Sequence, residues 1–139
     1  MMANFESFVE DAWNQGNMEK FKAVSVENYI RNLNGITVAE NQNAVESNIK
    51  LFLTGFPDGQ VTVDQIIQKD NTLFAHWTFI GTNTGIFGES PPTGKKVNVS
   101  GHSTIQFNEN GKMIQEDVYY NELELLQQLG YTLVPPITE

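Results

Sequence analysis

The 139-residue chain contains no cysteine, and that single absence removes disulfides, thiol nucleophiles and cysteine-ligated zinc together. Histidine is nearly as scarce. With only His76 and His102, a multi-histidine metal site within one chain is excluded, and no metal site is expected. Positive charge is also in short supply: eight Lys and Arg face 17 Asp and Glu, a net charge of −9. No basic cluster interrupts that deficit, so neither nucleic acid nor an anionic membrane is an expected partner. No apolar run approaches the length of a membrane span. The N-terminus places Glu6, Glu10 and Asp11 before its first basic residue, Lys20, the wrong charge order for a secretory signal. The cytoplasm is the expected compartment.

What is present suits one globular domain over residues 1–139, with its core over about 3–130 and a tail from 131 to 139. Phe5, Phe8, Val9, Ala12 and Trp13 recur at helical spacing, with Asn4 placed to cap the start and Gly16 the end. A second short helix is expected to turn Met18, Phe21 and Val24 inward. Asn28 to Ile30 reads as a short strand and Asn34-Gly35 as a turn. Asn43 and Glu46 have the spacing of a capping box before a third helix lined by Val45, Ile49, Phe52, Leu53 and Phe56. From Gln60 the period changes to two. Strands are expected over Gln60–Gln68 and Thr72–Gly81, the second apolar on both faces and therefore covered on both sides. The loop from Gly81 to Gly94 is long. Its glycines do not make a phosphate loop, because no GK[ST] element or helix start follows. Leu123, Leu126 and Leu129 mark a last helix ending at Gly130. Helices followed by sequential antiparallel strands give an α+β domain.

The most informative stretch is Lys95 to Tyr120. KKVNVSGHSTIQF and KMIQEDVYY read as two strands joined by Asn108-Glu109-Asn110-Gly111, and Asn-Gly between alternating runs is a strong hairpin signal. The second strand carries adjacent acids, Glu116 and Asp117. Successive strand residues face opposite sides, so one of the two points toward whatever the sheet covers. A carboxylate there costs free energy unless it is paired, solvated or in use.

The segments GFPDGQVTV, AHWTFIGTNTGIFG, PPTGKKV, GHSTIQF, NGKMIQE and LELLQQLG, with AWNQGNMEKF before them, resemble in order and spacing the SnoaL-like polyketide cyclases of the nuclear transport factor 2-like superfamily. The resemblance implies a cone-shaped, curved antiparallel sheet wrapped around N-terminal helices, a deep pocket and a homodimer. It also implies intramolecular aldol chemistry on a small apolar or aromatic carbonyl compound, with an aspartate base, no metal and no organic cofactor. Some positions depart from the pattern. Asn83 stands where the family commonly has a histidine, none occurs in Tyr29 to Asn32, Gln115 and Asp117 stand at a common Glu-x-Trp, and Asn121 replaces a frequent aspartate.

If the family's inward face is retained, Asp117 points into the pocket beside Gln115 and ranks ahead of Glu116 as a general base. Regular pleating puts His102 on the polar side, and a bulge at Gly101 would reverse it. His76 is either a satisfied structural histidine or part of the pocket wall, and both histidines stand as candidates to orient the acid or hold a substrate oxygen. Trp13, Tyr29, Phe52, Trp77, Asn83 and Tyr119 complete the candidate lining. Two functions stay open: a cofactor-free cyclase, isomerase or hydratase, and a non-catalytic ligand-binding or dimerisation module.

Overall fold

The computed structural model describes residues 1–138. Helix α1 (Met2–Phe8) continues without a break into a π-helical stretch (Val9–Asn14), and α2 (Glu19–Val24) follows. The face read from the sequence holds: Phe5, Phe8, Val9 and Ala12 are buried. The expected cap does not. Met1 occupies the cap position, and the Asn4 side chain instead donates to the Gly111 carbonyl across the molecule. After strands β1 (Ser25–Leu33) and β2 (Ile36–Ala39) comes α3 (Gln42–Gly55). Asn41, not Asn43, caps α3 by accepting from the Ala44 N–H at 2.8 Å. Glu46 is thereby free of a capping role and pairs with Lys50, one turn on, at 3.0 Å.

Strands β3 (Gln60–Lys69), β4 (Thr72–Thr82), β5 (Lys96–Phe107) and β6 (Met113–Tyr120) complete one open, curved sheet in the order β2-β1-β6-β5-β4-β3. Four of its five pairings are antiparallel. The exception is β1 against β6, which run parallel, a pairing that joins segments far apart in sequence and leaves no local turn signal to read. Asn34 and Gly35, at φ 51° and 81°, make the β1–β2 turn. At the β5–β6 hairpin Gly111 adopts φ 75°, and the Asn108 side chain accepts from the N–H groups of Asn110 and Lys112.

Strand β5 alternates without interruption, burying Val97, Val99, Gly101, Ser103, Ile105 and Phe107. Strand β4 follows it in register, with Leu73, Ala75, Trp77 and Phe79 on the same inner side. Its other face is not covered as expected, since Phe74 and Ile80 are 46% and 49% exposed. Strand β6 does not alternate regularly. Phe107 pairs with Met113 but Gln106 with Gln115, so Ile114 is an extra residue, a β-bulge. Parity reverses there, and Met113, Glu116, Val118 and Tyr120 all face inward.

The last helix, α4 (Glu122–Gln128), is capped by the Asn121 side chain accepting from Glu124 N–H at 3.0 Å. It buries Leu125 and Leu129, while Leu123, read as an inner residue, is 47% exposed. No helix among the described residues is long and apolar enough to cross a membrane.

Candidate functional site

The inner face of the sheet, the first helices and α4 enclose a half-open cavity of about 60 Å³. Its wall is almost wholly apolar. Phe8, Val9 and Trp13 come from the N-terminal helices, Phe52 from α3, Trp77, Phe79, Val99 and Val118 from the sheet, and Leu125 from α4. Four side chains bring polarity to it: Arg31, Ser103, Glu116 and Tyr120.

The parallel pairing of β1 with β6 sets Arg31 beside Glu116 and Asn32 beside Asp117. Each acid thus receives the β1 partner on its own side of the sheet. Inward, Arg31 Nη1 donates to Glu116 Oε1 at 2.7 Å, and the two residues are 3% and 2% exposed. Outward, Asn32 Nδ2 donates to Asp117 Oδ1 at 2.9 Å and Gln115 Nε2 to Asp117 Oδ2 at 3.1 Å. Arg31 is fixed twice more, by donating Nε to Asn48 Oδ1 at 2.8 Å and by lying 5.5 Å over the Trp13 ring. A guanidinium with its planar fork engaged and its face stacked is a rigid cation. Glu116 is held through one oxygen only. Among the described residues, Oε2 accepts no hydrogen bond, although the residue lines the cavity.

Beside the ion pair, Trp77 Nε1 donates to Ser103 Oγ at 2.9 Å, leaving the serine hydroxyl hydrogen free to donate into the cavity. Burial, reinforced by the neighbouring Glu122 carboxylate, pushes the Tyr120 phenol up to about 12. Tyr29, expected to line the pocket, is instead fully buried outside the lining, with its ring edge-on to Phe21. Burial and then the Glu116 charge push its phenol well above the ordinary value, so both tyrosines remain neutral donors at physiological pH. Among the described residues, Tyr29 Oη is the one buried side-chain polar atom without a partner. An orphan hydroxyl in that position contributes nothing and pays the desolvation cost. Tyr29→Phe is therefore expected to leave stability unchanged or raise it by up to about 1 kcal/mol. A urea midpoint shifted clearly downward would show instead that the hydroxyl has a partner.

The structure redistributes the residues expected from the sequence. Trp13, Phe52 and Trp77 line the cavity. Asp117 and Gln115 do not: the bulge at Ile114 puts Glu116 inside and turns both of them outward. Tyr119 is 57% exposed, and Tyr120 takes the inner place. No bulge occurs at Gly101, which pairs directly with Trp77 and Tyr120, so His102 is outside. His76 pairs with it and is outside too; neither histidine touches the cavity. Asn83 is buried as a pin for the 81–94 loop. Its amide donates to the Gly55 and Gly85 carbonyls, and its oxygen accepts from the Thr93 N–H and hydroxyl. Four satisfied bonds leave it nothing to offer a ligand.

Arg31 and Ser103 were not legible as site residues. One signal pointed to Arg31: it is the sole arginine in the chain, placed between Tyr29 and Leu33 at strand period.

Comparison with known proteins agrees with this architecture. A candidate SnoaL-like polyketide cyclase from Jannaschia sp. CCS1 superposes with a TM-score of 0.85 at 16% identity, covering 97% of this chain and 92% of that one. AclR, a candidate hydroxylase from Streptomyces galilaeus, gives 0.81 at 23% identity over 96% and 83%. IdmH, a candidate polyketide cyclase from Streptomyces antibioticus, gives 0.80 at 19% over 94% and 98%. At these identities the likeness carries the fold and not the chemistry. No curated protein matches the chain. The family model for SnoaL-like polyketide cyclases matches residues 3–129, from the first helix through the end of α4, and on that match the chain belongs to the SnoaL-like polyketide cyclase family.

Proposed function

We propose that the protein is a carbon-acid enzyme in which Glu116, rather than Asp117, is the general base. The substrate is a small apolar or aromatic carbonyl compound. Glu116 Oε2 takes a proton from the carbon next to the carbonyl, and the electron pair of the C–H bond moves into an enolate. Arg31 and the Ser103 hydroxyl face the oxygen on which that charge collects. Return of the proton elsewhere gives isomerisation; attack of the enolate carbon on a second carbonyl, with Glu116 protonating the new alkoxide, gives ring closure. The supporting observation is a single acid in an apolar cavity, with one oxygen uncommitted and a rigid cation 2.7 Å from the other. A carboxylate so placed suits proton abstraction in a water-poor site.

A cavity of about 60 Å³ is smaller than the roughly 300–1,000 Å³ of drug-sized ligand sites, so a substrate of that size must displace part of the lining. Helix α4, seven residues long and seated mainly through Leu125 and Leu129, is the wall with least to lose. The same small volume, with Oε1 engaged by Arg31, favours a second reading: a non-catalytic module that binds a small apolar molecule. Nuclear magnetic resonance separates the two by following deuterium wash-in at the α-carbons of small cyclic ketones and aromatic diketones. Exchange that depends on Glu116 supports the enzyme, binding without exchange supports the module, and the absence of both removes the ligand-based function.

The homodimer implied by the family resemblance belongs to this proposal. Light scattering at micromolar concentration is expected to give twice the 15.6 kDa chain mass, and a monomer there would refute it.

A further inference from the structure

The outer face of the sheet carries a second constellation that the cavity does not use. His76 on β4 and His102 on β5 are direct cross-strand partners, and their rings stack with centroids 4.7 Å apart and planes inclined by 16°. Gln65 continues this row on β3 and Tyr119 on β6. Together with Ile67, Phe74 and Thr104, the two histidines border a shallow groove of about 150 Å³, on the opposite side of the sheet from the cavity. Neither imidazole has a hydrogen bond to protein among the described residues; His102 is exposed and His76 partly so.

We propose that His76 and His102 form a two-imidazole chelate for a first-row divalent cation, Cu²⁺, Ni²⁺ or Zn²⁺, with water in the remaining positions. Imidazole nitrogen is the donor these ions favour, whereas Mg²⁺ and Ca²⁺ require oxygen. Cross-strand pairing holds the two Cβ atoms about 5 Å apart. Chelation requires both rings to turn out of their stacked arrangement, so that one nitrogen of each reaches the roughly 2.0–2.1 Å that Zn–N bonds require. Two carboxylates flank the row without joining it. Asp64 accepts from Thr78, one row to one side, and Asp117 pairs with Thr104, one row to the other. They and the −9 net charge raise the local concentration of cations. No group of three or more acidic, histidine or cysteine side chains could hold a metal among the described residues, so the chelate is a two-ligand site, open toward solvent. Two ligands are all the chelate needs, and the register of β4 with β5 brings the two histidines of the chain together.

The test is titration of the full chain, free of any affinity tag, with CuCl₂, NiCl₂ or ZnCl₂ at pH 7.5. Backbone resonances and thermal unfolding are followed. Paramagnetic broadening by Cu²⁺ and Ni²⁺ is expected to centre on residues 76 and 102 and to fade toward the N-terminal helices and α4, and the unfolding temperature is expected to rise. Affinity should follow Cu²⁺ above Ni²⁺ and Zn²⁺. His76→Gln or His102→Gln turns a chelate into a single contact, which is expected to weaken binding by on the order of 10²-fold; MgCl₂ should do nothing. Broadening centred elsewhere, or an affinity that either single variant leaves within twofold of the parent, overturns the proposal. Circular dichroism of each variant shows that a lost signal is not lost folding.

Discussion

Arg31→Met is expected to lower the unfolding free energy by about 3–5 kcal/mol, the cost typical of leaving one charge of a buried pair uncompensated. The reason lies in the surroundings of the pair. Arg31 and Glu116 are 3% and 2% exposed and are joined at 2.7 Å, so neither can turn to water when its partner is removed. Small domains hold only about 5–15 kcal/mol in total, and the single variant is expected to sit near the edge of folding. The double variant Arg31→Met, Glu116→Leu should recover most of the loss, because apolar side chains of similar volume replace the pair without a desolvation penalty. Urea unfolding of the parent, both singles and the double closes the cycle. Additive losses would mean the two charges are not coupled, and a loss under about 1 kcal/mol for Arg31→Met would mean the pair is hydrated in solution. A double variant as stable as the parent but devoid of exchange activity would show that the ion pair is kept for chemistry and not for folding.

Glu116→Gln should lower the rate of α-proton exchange by about 10²–10⁴-fold, the contribution typical of a positioned general base. The amide keeps the shape of the carboxylate and can still accept from Arg31, but it cannot take a proton from carbon. The contrast with its neighbour is the sharper part of the expectation. Asp117→Asn should leave exchange within a few-fold of the parent, because Asp117 faces the other side of the sheet and is held by Asn32 and Gln115. The reverse outcome, with Asp117→Asn inactive and Glu116→Gln active, would place the chemistry on the outer face and sink the assignment. Both variants need a circular dichroism spectrum beside the rates, since Glu116→Gln leaves the Arg31 charge without its counter-ion.

Much of this architecture is written in local residue order. Phe5, Phe8, Val9 and Ala12 needed only helical spacing to declare a buried face, and the Asn-Gly steps at 34–35 and 110–111 needed only their tolerance of positive φ to declare turns. Strand β5 states its own inside and outside through strict alternation. The errors fall where a local choice was near balance. Asn41 and Asn43 are chemically identical as caps, and which one serves depends on where the chain arrives from β2. Leu123, Leu125 and Leu126 are equally apolar, and only the seat of α4 against Val97 and Val99 selects Leu125.

The site divides along the same line. Sequence alone determined that an acid on the last strand must face inward and that Trp13, Phe52 and Trp77 are large apolar residues with a core or cavity to line. It could not say which acid, because one extra residue at Ile114 reverses every side chain that follows it, and a bulge has no reliable local signature. Nor could it supply the partner. Arg31 meets Glu116 across 85 positions of sequence through the parallel pairing of β1 with β6, and His76 meets His102 through the register of β4 with β5. Those contacts are long-range, so their free energy is set by tertiary register, and it was the folded sheet that decided which charges share a cavity and which face solvent.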